Sequence, residues 1–189
     1  MFFHLEAFHD NAKQFCEIIS KLNFVESTFG QEVKNFNHKP DELSEALSHI
    51  LGRPLAHSEN SGLYRRPFPF VHFENWTPQS AFSAAIALED THFYTYKHKE
   101  TGVYNVLQMA EKQIEMDKFI EKNSHDLNNW ETIATINFKQ GDLVVFQPWV
   151  WHSFEENNLI QCFHFNRKEK SVIEVPEGFE APSNIEPPA

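Results

Sequence analysis

The chain has 189 residues, with 16 basic against 27 acidic side chains, a net charge of −11 and 41% hydrophobic residues. That balance belongs to an ordinary globular domain, long enough to bury a core without disulfide or metal staples. So acidic a chain matches a phosphate backbone poorly, which argues against nucleic acid as a partner.

The opening residues Met1 to Asp10 already contain Glu6 and Asp10 and do not read as a signal peptide. No apolar run approaches the roughly 18–20 residues that cross a bilayer, so no membrane span is expected. Two cysteines, Cys16 and Cys162, fit a reducing, cytoplasmic setting better than a disulfide framework. The 19 phenylalanines predict a phenylalanine-filled core, which names no function.

In chain order, Ala12, Phe15, Cys16, Ile19 and Leu22 recur at helical steps behind Asp10 or Asn11, either of which suits a cap. Pro40-Asp41-Glu42 opens a second short helix through Leu43, Leu47 and Ile50, closed by Gly52 and Pro54. His57 to Pro69 reads as a loop. Phe68 to Glu74, Phe82 to Leu88 and His92 to Lys99 are short aromatic or β-branched runs, the text of strands. Asn105 to Lys122 returns to helical spacing. Strand-like runs resume at Thr132–Phe138, Leu143–Phe146, Leu159–Phe165 and Val172–Val175. Beyond Pro176 the proline-bearing tail is expected to be extended or disordered.

Strands without alternating crossover helices favour an antiparallel sandwich or barrel over a parallel α/β sheet. The expected organisation is a helical segment over 1–60 packed on a β domain over 61–175. A helical insertion at 105–122 interrupts that domain, and the tail takes 176–189.

Histidine is the residue class to interrogate, with 11 copies of a common metal ligand. His4, His9, His38, His49 and His125 fall in helices or loops without partners and are expected to face solvent. His72 differs. In Phe70-Val71-His72-Phe73-Glu74, strand alternation puts His72 and Glu74 on one face, able to close on one ion. In Gly141 to His152, a Gly-Asp turn starts an apolar strand that Pro148 ends, and His152 follows two tryptophans. His72, Glu74 and His152 would make a two-histidine, one-carboxylate facial triad, which leaves three positions of an octahedron open. A His-x-Glu pair alone is a chance event far more often than a ligand pair; the order of the two motifs is what raises it.

The stretch from Arg66 to Asn166, just over half the chain, resembles the double-stranded β-helix of the 2-oxoglutarate/Fe(II)-dependent oxygenase superfamily. Its prolyl-hydroxylase-like branch and related uncharacterised bacterial and phage domains are the nearest in pattern. His72-Phe73-Glu74 matches the His-x-Asp/Glu motif, and Gly141 to His152 matches the segment that carries the distal histidine. His92 to Gly102 resembles the hairpin that follows in those relatives. The resemblance implies a mainly β jelly roll with flanking N-terminal helices and one helical insertion. It implies Fe(II) on His72, Glu74 and His152, with 2-oxoglutarate as cosubstrate, oxidised to succinate as a C–H bond is hydroxylated.

Two departures bear on that reading. Glu74 stands where Asp is commoner. Relatives place an arginine about nine residues after the distal histidine, against the far carboxylate of 2-oxoglutarate, and here that position is Gln161. An amide lacks the charged fork of a guanidinium. Lys97 is the first substitute, then Arg65 and Arg66, with Tyr94 beside them. Trp76, Trp149 and Trp151, with Tyr94, are candidates for the mouth of a substrate pocket, although packing is the commoner role and is expected for at least two of these aromatics. His92, His98 and His164 are read as structural, with His164 turned away from the site by alternation against Gln161.

The leading expectation is thus a dioxygenase acting on a small molecule or a protein side chain, with homodimer formation left open. The alternative is a degenerate or cupin-like jelly roll that binds a metal, ligand or protein partner without oxygenase chemistry. A purely structural β-sandwich ranks last.

Overall fold

The structure is a computed structural model, and it describes residues 2–9, 11–27, 30–33, 36, 41–58, 62–65, 70–74, 79–156 and 158–168. The expected strand at Val172–Val175, the tail, His38, Arg66 and Trp76 lie outside the described residues.

In chain order the elements are β1 (Phe2–Leu5), α1 (Ala12–Ile19), β2 (Val25–Ser27), β3 (Gly30–Glu32), α2 (Asp41–Leu51), β4 (Leu55–His57) and β5 (Gly62–Arg65). There follow β6 (Ser80–Ala87), β7 (Thr91–His98), α3 (Leu107–Glu111), α4 (Met116–Asn123), β8 (Trp130–Phe138), β9 (Leu143–Phe146), β10 (His152–Phe154) and β11 (Leu159–Arg167). Two antiparallel sheets result. The large one runs β1-β9-β6-β11-β5-β3-β2, with β4 also on β11, and the small one runs β10-β7-β8. This is a jelly roll: from β6 onward the chain passes between two facing sheets, with β6, β9 and β11 in the large one and β7, β8 and β10 in the small one.

Three apolar clusters define the layers. Between the sheets lie Ala85, Ala87, Phe93, Phe138, Val144, Phe146, Phe154, Ile160 and Cys162. On the outer face of the large sheet, Ile19 of α1 with Leu43 and Leu47 of α2 cover Ala84, Ile86, Leu143, Val145, Phe163 and Phe165. On the outer face of the small sheet, Met109 and Phe119 cover Tyr96, Trp130 and Trp151. Each phenylalanine taken from water contributes roughly 1.5–3 kcal/mol, so this composition is a set of three cores.

Several local expectations need correction. The first third is more than helical: β1 pairs with β9 from Phe2↔Phe146 to Leu5↔Leu143, and β2 and β3 extend the far edge. The loop expected over 57–69 contains β5, which four register pairs join to β11. Its glycine and arginine disguised a short strand whose partners, β11 and β3, are remote in sequence. The single helix expected at 105–122 is two, because Gln113 adopts a positive φ of 55° between α3 and α4. Asn11 stands at the α1 cap position without a side-chain capping bond.

His4 is also not solvent-facing. Its Nε2 lies 2.9 Å from Asp142 Oδ2, and Asp142 also accepts the N–H groups of Ala7 and Lys139. That buried carboxylate ties the N-terminal strand to the Gly-Asp turn. Gly141 there has φ +91°, and a Cβ would come within 3.0 Å of the His9 carbonyl oxygen, so glycine is required at this turn. His9 is half-buried, its ring stacked on Phe15 at 5.4 Å, while His49 and His125 are exposed as expected. Among the described residues no helix is long and apolar enough to cross a membrane.

Candidate metal centre

His72 and His152 meet as a directly opposed antiparallel pair. The N–H of His72 donates to the His152 carbonyl at 3.0 Å, and the N–H of His152 donates back at 2.8 Å. Opposed residues of such a pair carry their side chains on the same face. Here that is the inner face, because His152 is also in register with Thr95 of β7, two residues from Phe93 of the interior cluster. Glu74, two residues after His72, shares that face, and its N–H donates to the Pro148 carbonyl at 2.8 Å. The residues between, Val71, Phe73 and Trp151, point to the outer cluster.

The three ligand atoms of His72, Glu74 and His152 lie within 4.8 Å of one another. His152 Nε2 is 3.3 Å and His72 Nε2 is 3.8 Å from Glu74 Oε1. Adjacent ligand atoms on an ion with bonds near 2.1 Å stand about 3 Å apart, so little movement closes the set.

Hydrogen bonding sets the tautomers. His72 Nδ1 lies 3.1 Å from the Phe70 carbonyl and His152 Nδ1 lies 2.9 Å from the Val150 carbonyl. A carbonyl only accepts, so each Nδ1 carries the proton and each Nε2 presents a lone pair to the centre. His152 is fully buried and Glu74 is 13% exposed. His152 Nε2 and Glu74 Oε1 are both buried without a hydrogen-bond partner, although 3.3 Å apart. An orphaned lone pair facing an orphaned carboxylate oxygen is a costly arrangement that a cation between them satisfies. The residues therefore fit a divalent metal.

Burial pushes the Glu74 carboxyl up, but in the metal-free protein an Nε2 proton on His152, His164 or His72, taken up where a metal would otherwise sit, outweighs it. The group is held well below the usual carboxylate range. A charged carboxylate is therefore available as a ligand at neutral pH.

Beneath the triad the wall is aromatic. The His152 ring lies 4.5 Å from Phe146, 5.6 Å from Phe93 and 6.0 Å from Phe154, centroid to centroid. These rings fix the imidazole and keep water from that side.

The remaining expected site residues fall elsewhere. Gln161 is buried on the outer face of β11, in register with Ile86 and Leu63 of the helix-covered cluster. The inner positions of β11 are Ile160, Cys162 and His164, so the register expected from the sequence was one residue off. Arg65, in register with Leu159, also faces outward, 5.4 Å over the Phe24 ring and 3.9 Å from Glu89. Lys97 stands at the far end of β7, where its amine pairs at 2.9 Å with Glu131, its cross-strand neighbour. Tyr94 lies on the outer face of the small sheet, stacked with His92 at 5.9 Å. Trp149 and Trp151 belong to the cluster under α3 and α4, with Trp151 5.2 Å from Trp130 and 5.3 Å from Phe73, so both are packing residues.

His164 is the residue that sequence reasoning missed. It points inward, with Nε2 3.7 Å from Glu74 Oε2 and Nδ1 3.0 Å from Ser83 Oγ. The alternation between 161 and 164 is real, but the two faces of β11 were exchanged. Leu159 to Phe165 is apolar on both faces because helices cover one and the small sheet the other, so hydrophobicity could not orient it.

No protein-family model matches the chain, and no curated protein does. Solved structures do. HygX from Streptomyces hygroscopicus, with nickel and 2-oxoglutarate bound, superposes at a TM-score of 0.54, covering 88% of this chain and 83% of HygX. The chain has the fold of the 2-oxoglutarate-dependent oxygenases. Two enzymes of nogalamycin biosynthesis are similar in the same way. The non-haem α-ketoglutarate-dependent epimerase SnoN gives 0.55 over 100% of this chain and 90% of its own. The carbocyclase SnoK gives 0.54 over 88% and 80%. Identities of 12% to HygX, 12% to SnoN and 16% to SnoK make this a likeness of fold.

Proposed function

We propose that the protein is an Fe(II)- and 2-oxoglutarate-dependent oxygenase that hydroxylates a small molecule or a protein side chain. The observation that carries this reading is the buried pairing of two orphaned atoms, His152 Nε2 and Glu74 Oε1, with His72 beside them on the inner face of an oxygenase-type jelly roll. Bound there, iron would supply the activation of dioxygen that couples loss of carbon dioxide from the keto acid to hydroxylation of a C–H bond. The chain's own part is positional. The Phe70 and Val150 carbonyls hold the two imidazoles in the ligand tautomer. Glu74 brings a negative charge, and Phe93, Phe146 and Phe154 exclude water from the inner side. A cytoplasmic location suits Cys16 and Cys162, which are not joined in a disulfide.

One observation favours a second reading, a jelly roll that holds a metal without using 2-oxoglutarate. The inner positions of β11 carry Ile160, Cys162 and His164, and none is the guanidinium or ammonium that grips a distant carboxylate. Anaerobic titration of the Fe(II)-loaded protein with 2-oxoglutarate separates the two, with His152→Ala as control. A saturable visible charge-transfer band, absent from the control, is the expected result. Stoichiometric iron without a band would establish the second reading.

A further inference from the structure

The centre has a third imidazole, and its hydrogen bonding differs from that of the other two. β11 lies in the large sheet, so His164 approaches Glu74 from the wall opposite His72 and His152. Its register partner on β6 is Ser83, a buried serine whose Oγ meets His164 Nδ1 at 3.0 Å. The Nδ1 atoms of His72 and His152 face carbonyls, which only accept and thereby force the proton onto Nδ1. A hydroxyl can donate. Ser83 can thus give its proton to His164 Nδ1, which leaves an N–H at Nε2, a hydrogen-bond donor and not a ligand.

That nitrogen faces Glu74 Oε2 at 3.7 Å, while His72 and His152 face the other oxygen, Oε1. His164 also lies outside the group of ligand atoms that converge within 4.8 Å. The gap exceeds a hydrogen bond by roughly 0.8 Å, within reach of a rotamer adjustment in a glutamate side chain. Glutamate has one more rotatable bond than aspartate and, left unheld, can chelate through both oxygens and occupy an extra coordination position.

We propose that His164 is a positioning residue of the metal centre: fixed by Ser83, it takes Glu74 Oε2 as a hydrogen-bond acceptor, so that Glu74 offers the metal Oε1 alone. The role rests on the reading of His72, Glu74 and His152 as ligands, and it deepens that reading. It makes the histidine of the large sheet the counterpart of the longer carboxylate two residues beyond His72. Partners of this kind alter metal affinity by roughly 10–100-fold when removed.

Co(II) alone is the probe, because its visible spectrum reports coordination number and no turnover is needed. Calorimetric and spectral titrations would compare the wild type with His164→Ala, His164→Gln, Ser83→Ala and His152→Ala, each checked for its metal-free melting temperature. The expected result is a loss of roughly 10–100-fold in Co(II) affinity in His164→Ala, with an altered visible spectrum. His164→Gln, whose amide can still donate to Oε2, should recover part of both, and Ser83→Ala should shift them in the same direction by less. If the wild type binds no Co(II), or His152→Ala binds it equally well, the ligand assignment fails and the role of His164 with it. If His152 is required but His164→Ala matches the wild type in affinity and spectrum, the ligands stand and the positioning role is overturned. X-ray absorption showing three imidazoles on Co(II) would also overturn it, by making His164 a ligand.

Discussion

His152 and His98 are both almost fully buried, at 0% and 2% exposure, and each leaves Nε2 without a hydrogen-bond partner. Their surroundings make them opposites. His98 Nδ1 accepts the Thr101 N–H at 3.2 Å, which puts its proton on Nε2. That N–H is enclosed by aromatic rings, with Phe119 at 4.7 Å and Trp130 at 5.2 Å, both edge-on. Such contacts are weak but favourable for an N–H. His152 Nδ1 donates to a carbonyl, so its Nε2 is a lone pair, and it faces a carboxylate. Burial and an unsatisfied nitrogen therefore do not identify a ligand. The tautomer, with a converging carboxylate that a lone pair cannot satisfy without a cation between them, points to one.

The most severe way to break this contrast is to remove each ring. His152→Ala should abolish stoichiometric Co(II) or Fe(II) binding in calorimetry while the fold persists. His98→Ala should leave metal binding intact and lower stability by about 2 kcal/mol through the cavity it opens. Metal loss in His98→Ala, or none in His152→Ala, would dissolve the distinction.

The outer cluster is tested as packing by Trp151→Ala, which should cost about 3–5 kcal/mol in denaturant unfolding. A wild-type midpoint would return Trp151 to a pocket wall. The charge at the centre has a pH signature in the metal-free protein. Because the Glu74 carboxyl is held below the usual range, its ionised form stabilises the fold above the ordinary glutamate value near 4.3. That contribution is lost as pH falls through the depressed value. Melting temperature should fall less steeply below about pH 4.3 in Glu74→Gln than in the wild type, and identical slopes would remove Glu74 as the source.

The smallest effect belongs to Lys97. Its pair with Glu131 is half-exposed and worth less than about 1 kcal/mol. Lys97→Ala should leave the 2-oxoglutarate titration unchanged; a weakened band would draw that lysine from Glu131 into the cosubstrate site.

Much of the central β body was legible because its strands obey local rules. Leu143–Phe146 matches the expected bounds, and the period-two face shared by His72 and Glu74 is a property of any extended backbone. The short strands β1 and β5 were not, since β1 pairs with β9 and β5 with β11 and β3, all distant in the chain, and propensity carries no information about those.

By itself, the sequence determined the alternation that aligns His72 with Glu74, the Gly141-Asp142 turn that leads into the distal histidine, and the antiparallel class of the fold. Only the tertiary structure decided which face of β11 is the inner one. It thereby exchanged Gln161 for His164, paired Lys97 with Glu131 and moved Trp149 and Trp151 into a packed layer. The physical reason is that a strand covered on both sides is apolar on both sides. Its pattern fixes which residues share a face, and only the packing of sheet against sheet assigns that face to the site.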